Sequence, residues 1–175
     1  MCYHNIEHTR RVVNNVEIIG RYEKVSEEEM FILKATAWFH DLGYVKAYDG
    51  HEDESKEIAK TFLVKEKVEN ELINTILSGI DSTRVPQDPK NNLEQIIADA
   101  DLFDLGTDEY FKLSRKLFDE WNACGKPGDI IRMWQLSLDF LKGHSYFTSY
   151  GKIYLREKKQ RNIQTLEMRL KNGQL

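Results

Sequence analysis

Four residues of this sequence carry the side chains of a metal-ligand set: His8, the adjacent pair His40-Asp41, and Asp101. Imidazole nitrogen and carboxylate oxygen are the donors that Zn, Mn, Fe, Co or Ni accept. The pair stands in Trp38-Phe39-His40-Asp41-Leu42-Gly43, an otherwise apolar stretch. Burying two polar groups there is unfavourable unless each finds a partner, and one metal ion partners both. A metal site is the expectation.

The elements that must position these residues read as helices, because apolar residues recur at helical spacing nearly everywhere and no stretch alternates long enough for a strand. The expected fold is all-α: one domain over 1–175 with about seven or eight helices, a motif-bearing core at 3–106 and C-terminal helices at 108–173. The first helix is expected from Asn5 to Glu23, with Val12, Val16 and Ile19 on one side. The second starts at Ser26, which forms a capping box with Glu29, and Gly43 is expected to stop it. Further helices are expected over Glu52–Leu63, Lys67–Ile80, Leu93–Leu105 and Asp108–Cys124. Another ends near His144, and a polar last one runs from about Gly151. Pro86 and Pro89 bracket a loop, and Gly125-Lys126-Pro127-Gly128 reads as a turn. Trp38, Trp121 and Trp134 fall within helical patterns and are expected to fill core.

At 175 residues the chain is long enough to enclose a core without staples. A formal net charge of −4 gives no electrostatic footprint for extended nucleic acid and leaves small anionic substrates open. Cys2 and Cys124 are the only cysteines, too few for a disulfide framework or a cysteine metal cluster, which suits the cytoplasm. The apolar runs are broken by charges within a few residues, so no membrane span is expected. Gly-x-Ser-x-Gly and Gly-x-x-x-x-Gly-Lys do not occur, which argues against a nucleophile elbow and a phosphate loop.

The ordered set of a His, an adjacent His-Asp pair followed by Leu42-Gly43, and a distant Asp resembles the HD superfamily of metal-dependent phosphohydrolases. The opening Tyr3-His4-Asn5-Ile6-Glu7-His8 is similar to the Tyr-His-Asn-x-x-His motif of class I cyclic-nucleotide phosphodiesterases, a branch of that superfamily. The resemblance implies that His8, His40, Asp41 and Asp101 hold one divalent ion, drawn from Mn, Fe, Co, Ni, Zn or Mg. It implies that His4 donates a proton to the leaving oxygen, a task suited to a group titrating near neutrality. By helical geometry Asp104 shares the inward row of Leu93, Ile97 and Ala100 with Asp101, so geometry leaves both open. The family's Ala-Asp-x-x-x-x-Leu-Gly-like pattern selects Asp101, with Asp99 read as solvated or as an outer carboxylate orienting a ligand. Relatives carry more residues before the motif than the two found here.

His51 has two readings. As in many HD proteins it contacts substrate phosphate or a second ion, or else it merely opens a helix whose Glu52, Asp53 and Glu54 suit the dipole. Two-metal relatives have a further His in the region that here reads Ile80-Asp81-Ser82-Thr83-Arg84, so a single ion is expected. Arg84 is the expected phosphate clamp because guanidinium binds phosphate bidentately, with Arg10, Arg11 and Lys90 as weaker candidates. The segment His144-Ser145-Tyr146-Phe147-Thr148 reads either as pocket wall or as a polar turn ending a helix.

The resemblance implies hydrolysis of a phosphomonoester or phosphodiester, of a nucleotide or similar small anion, by a metal-activated water attacking phosphorus in line. Asp41 would bridge ion and nucleophile, and His4 or His51 would protonate the leaving oxygen. Two alternatives stand beside it: a non-catalytic, metal-stabilised regulatory module sensing nucleotides, and a di-iron oxygenase of the same superfamily. Substrate and oligomeric state are open.

Overall fold

In the computed structural model, residues 1–126 and 128–174 are described, so the expected 125–128 turn falls partly outside them at Pro127. Among the described residues there are eight α-helices and no strand, as the periodicity requires. In chain order they are α1 (Ile6–Glu23), α2 (Glu27–Phe39), α3 (His51–Lys65), α4 (Asn70–Asp81), α5 (Asn92–Asp101), α6 (Tyr110–Ala123), α7 (Ile130–Gly143) and α8 (Arg156–Asn172). By its contacts the chain divides into two compact units, Ile6–Asp101 and Met1–Asn5 with Leu102–Leu175.

In the first unit α1 packs on α2 and α5, α2 on α4, and α3 on α4. One core cluster joins Ile32 of α2, Ala59 and Leu63 of α3, and Ile73, Ile76 and Ile80 of α4. The expected capping box opens α2: Ser26 Oγ accepts from the Glu29 N–H at 3.2 Å, and Glu29 Oε2 accepts from the Ser26 N–H at 2.7 Å. A cap that was not foreseen opens α5, where Asn91 Oδ1 accepts from the Glu94 N–H and the buried Glu94 carboxylate accepts from the Lys90 N–H, one residue before the cap.

Gly43 does not stop α2. The helix ends at Phe39, and Gly43 lies inside a short 3-10 turn, Leu42–Val45. A Cβ at Gly43 would stand 1.8 Å from the carbonyl oxygen of His51, so glycine is required by close approach of two backbones rather than by a left-handed cap. The Gly43 N–H donates to Ser55 Oγ at 2.7 Å, fastening the turn to the first coil of α3.

Trp38 does not fill core. The buried row of α2 is Leu33, Thr36, Ala37 and His40, and at 100° per residue Trp38 falls on the opposite side with Phe31; the two are 43% and 62% exposed. The fifth helix stops at Asp101 rather than Leu105, and the chain tightens into a second 3-10 turn, Phe103–Gly106.

In the second unit α7 packs against α8 and α6, around Tyr110, Phe118, Met133, Trp134, Leu138, Leu141, Ile163 and Leu166. Trp134 is core and Trp121 packs at its edge. A wider, π-type turn at Gly151–Leu155 leads into α8. Its first N–H, from Gly151, donates to the buried Thr148 Oγ1 at 2.9 Å. The Lys159 ammonium donates to the carbonyls of Leu141 and His144 at the end of α7. The 144–148 segment is thus a polar turn closing one helix and opening the next. Among the described residues no helix is long and apolar enough to cross a membrane.

Candidate metal centre

Within the first unit three helix segments each supply part of one cluster. His8 lies on the buried face of α1 with Val12, Asn15 and Ile19. His40 caps the C-terminus of α2 and Asp41 follows it, while Asp101 is the last residue of α5. A buried polar side chain holds the end of α5 in place: Asn15 Nδ2 donates to the Ala100 carbonyl at 3.1 Å, one of the acceptors a helix end leaves unpaired.

The donor atoms meet. His8 Nε2 lies 3.3 Å from Asp41 Oδ2, 3.2 Å from Asp101 Oδ1 and 3.4 Å from His40 Nε2. His40 Nε2 lies 3.2 Å from Asp41 Oδ2 and 3.5 Å from Asp101 Oδ1. Donors held about 2.0–2.2 Å from one ion, at angles between octahedral and tetrahedral, are about 2.9–3.6 Å apart. All five separations fall in that range; His8, His40 and Asp41 fit a single cation, and Asp101 lies beside both imidazoles. His8, His40 and Asp41 form a group able to hold a divalent ion.

The protonation pattern agrees. His40 Nδ1 lies 2.8 Å from the Ala37 carbonyl, which only accepts, so Nδ1 carries a proton and Nε2 faces the two carboxylates, as a proton donor or, with an ion bound, as a ligand. Burial alone would push both imidazoles down, but the carboxylates of Asp41 and Asp101 outweigh it and raise His8, and His40 strongly. Burial would likewise push Asp41 and Asp101 up, and the imidazoles instead hold both well below the usual carboxylate range. The cluster thus demands positive charge at its centre, from protons or from a metal.

Asp41 has a second neighbour. Its Oδ1 lies 3.5 Å from His51 Nε2, so His51 adjoins the cluster from the first residue of α3. Arg84 is half-exposed and faces carboxylates: Nη1 is 3.3 Å from Glu52 Oε2, and Nη2 is 3.0 Å from Asp53 Oδ1 and 3.5 Å from Asp81 Oδ1. Lys56 shares the last two, and these charges tie the start of α3 to the end of α4. Arg10 and Lys90 are exposed, paired with Glu7 and Asp88, and Arg11 is half-buried. Asp99 is fully buried, which ends the solvated reading of it. Its helix has Ile96 to Ala100 all buried, so facing away from one inward row does not mean facing water.

His4 lies in the second unit, where sequence reasoning missed its partner. The Glu120 carboxylate, 1% exposed on α6, accepts the N–H groups of Tyr3 and His4 at 2.8 and 3.0 Å and faces His4 Nδ1 at 2.5 Å. Burial would raise Glu120, but His4 and these donors hold it below its ordinary value. A carboxylate only accepts here, so His4 Nδ1 carries the proton. No local sequence signal marked Glu120, since nothing near it resembles a motif.

The HD domain family profile matches residues 5–106, more than half of the chain. Neither a curated protein nor a solved structure matches it.

Proposed function

The chain belongs to the HD-domain family, and from that premise we propose that it is a metal-dependent phosphohydrolase, cleaving a phosphomonoester or phosphodiester of a nucleotide or similar small anion. The observation that carries this reading is the convergence of His8, His40 and Asp41, with donor separations of 3.2–3.4 Å, and of Asp101 at 3.2 and 3.5 Å from the two imidazoles. These residues would hold a divalent cation, which would supply a water of lowered pKa and polarise a phosphoryl oxygen.

The side chains supply the rest. His8 and His40 are almost fully buried, whereas Asp41 and Asp101 keep 11% and 16% of their side chains exposed, so substrate approaches from the carboxylate side. Asp41 turns Oδ2 to the cluster and Oδ1 toward His51, which suits it to orient a water held at the cluster's edge. His51 meets a phosphate oxygen or the leaving oxygen. The part given to His4, protonation of the leaving group, rests on its place in the Tyr-His-Asn-x-x-His order and on the Nδ1 proton that Glu120 fixes. Arg84 as an anchor for a further phosphate oxygen rests on its residue type and partial exposure.

The test is a screen of nucleotides and phosphodiesters against metal-free protein reloaded separately with Mn, Co, Ni, Fe, Zn and Mg. Turnover that requires both the ion and Asp41 supports the reading. Tight metal and nucleotide binding without turnover for any ion overturns it in favour of a regulatory module.

A further inference from the structure

We propose that Tyr44 is a positioning residue for His51: its ring holds the imidazole plane so that Nε2 is presented at the Asp41 edge of the metal centre, where a phosphate binds. This rests on the hydrolase reading above. The Tyr44 and His51 rings are stacked, with centroids 3.8 Å apart and planes inclined by 16°. His51 opens α3 directly after Gly50, whose φ of 75° marks a sharp turn, and a first-turn side chain has no preceding helical coil to pack on. Its orientation must come from elsewhere.

The 3-10 turn 42–45 provides it. The close approach of Gly43 to the His51 carbonyl, and the Gly43 hydrogen bond to Ser55, bring the next residue, Tyr44, over the imidazole. Tyr48 backs the Tyr44 ring edge-on, with centroids 5.3 Å apart. The stack fixes the plane, and two carboxylates fix rotation within it: Asp41 Oδ1 lies 3.5 Å from Nε2 and Glu52 Oε2 lies 3.6 Å from Nδ1. Arg84 holds the buried Glu52 in turn, at 3.3 Å. Turning the ring by half a revolution about Cβ–Cγ would break both contacts, and the tyrosine face opposes tilting out of plane. An imidazole so held loses little freedom when it engages a phosphate oxygen, and that saving appears as affinity and rate.

The experiment compares wild type, Tyr44→Ala, Tyr44→Phe and His51→Gln in three measurements on protein reloaded with zinc: metal content, calorimetric affinity for inorganic phosphate, and proton NMR of the histidine rings. Hydrolysis of a chromogenic phosphate ester is followed with the most active ion. His51 ring protons, assigned by their loss in His51→Gln, are expected upfield in wild type and Tyr44→Phe and at ordinary positions in Tyr44→Ala. Tyr44→Ala is expected to keep its metal, to bind phosphate several-fold to about tenfold more weakly, and to lose a similar factor in kcat. Tyr44→Phe restores most of both, because the ring and not the hydroxyl makes the stack. Unshifted His51 protons in wild type, wild-type phosphate affinity in Tyr44→Ala, or loss of metal in that variant would each overturn the proposal. A protein that hydrolyses no phosphate ester with any ion removes the hydrolase reading, while ring shifts and phosphate affinity still decide the role of Tyr44.

Discussion

His40 and Asp41 are consecutive in the chain, yet His40 Nε2 and Asp41 Oδ2 lie 3.2 Å apart and both face His8. On an unbroken helix consecutive side chains diverge by about 100°. They converge here because α2 ends at Phe39: His40 keeps helical angles as the cap, while Asp41 leaves them, at φ −108° and ψ 4°. The His-Asp pair is therefore a ligand pair only at a helix terminus, and the Gly43 turn that follows keeps it there.

Asp41 faces both imidazoles of the cluster, so Asp41→Ala is expected to lose the ion and all turnover while circular dichroism stays helical. The loss in metal affinity should exceed the roughly 10- to 100-fold typical of removing an outer partner. Elemental analysis after dialysis checks it. Chelation of wild type should lower its melting temperature, since an ion at 100 times its Kd contributes about 2.7 kcal/mol. An unchanged melting curve on chelation would mean that no ion is held.

His4 is tied to Glu120 and is not among the clustered donors, so His4→Ala should keep its metal and slow hydrolysis by about a hundredfold or more. Glu120→Gln preserves an acceptor for the Tyr3 and His4 N–H groups but loses the charge facing Nδ1, and an intermediate rate is expected. Metal loss in His4→Ala equal to that in Asp41→Ala would place His4 among the ligands instead.

Arg84 faces three carboxylates and is half-exposed, so two effects are expected of Arg84→Ala. As a phosphate anchor its loss raises KM about tenfold or more with metal content unchanged, the usual scale of about 1.5–3 kcal/mol for a charge-assisted hydrogen bond. As the tie between α3 and α4 its loss lowers stability. Arg84→Lys should recover the tie better than KM, because an ammonium lacks the bidentate fork. Lowered stability with KM unaltered would leave only the structural role.

His144, in the second unit, gives a pH dependence of its own. Burial, and then the Lys159 ammonium, push its pKa down to about 4. An unfolded chain has a histidine near 6.5, so between about pH 6.5 and 4 the unfolded state binds the extra proton and stability falls as pH falls. His144→Gln should flatten the melting-temperature profile across that window. A profile identical to wild type would show that His144 is not the group responsible.

The sequence by itself determined the residue types of the cluster and the helices that bear them. Helical periodicity is a local property, and the Ser26 box and the breaks at Gly and Pro follow from neighbours a few residues apart. The family order selected Asp101 where helical geometry left Asp104 open as well, and an Asp101 oxygen lies 3.2 Å from His8 Nε2. Tertiary structure decided what depends on distant partners: that Gly43 answers to the His51 carbonyl, that Asn15 anchors the end of α5, and that Glu120, 116 positions from His4, fixes its proton. It also decided that Trp38 is exposed and Asp99 buried. A local pattern records which face of a helix is apolar, but which atoms cover a face, and which donor an acceptor finds, depend on chain segments that meet only when the protein folds.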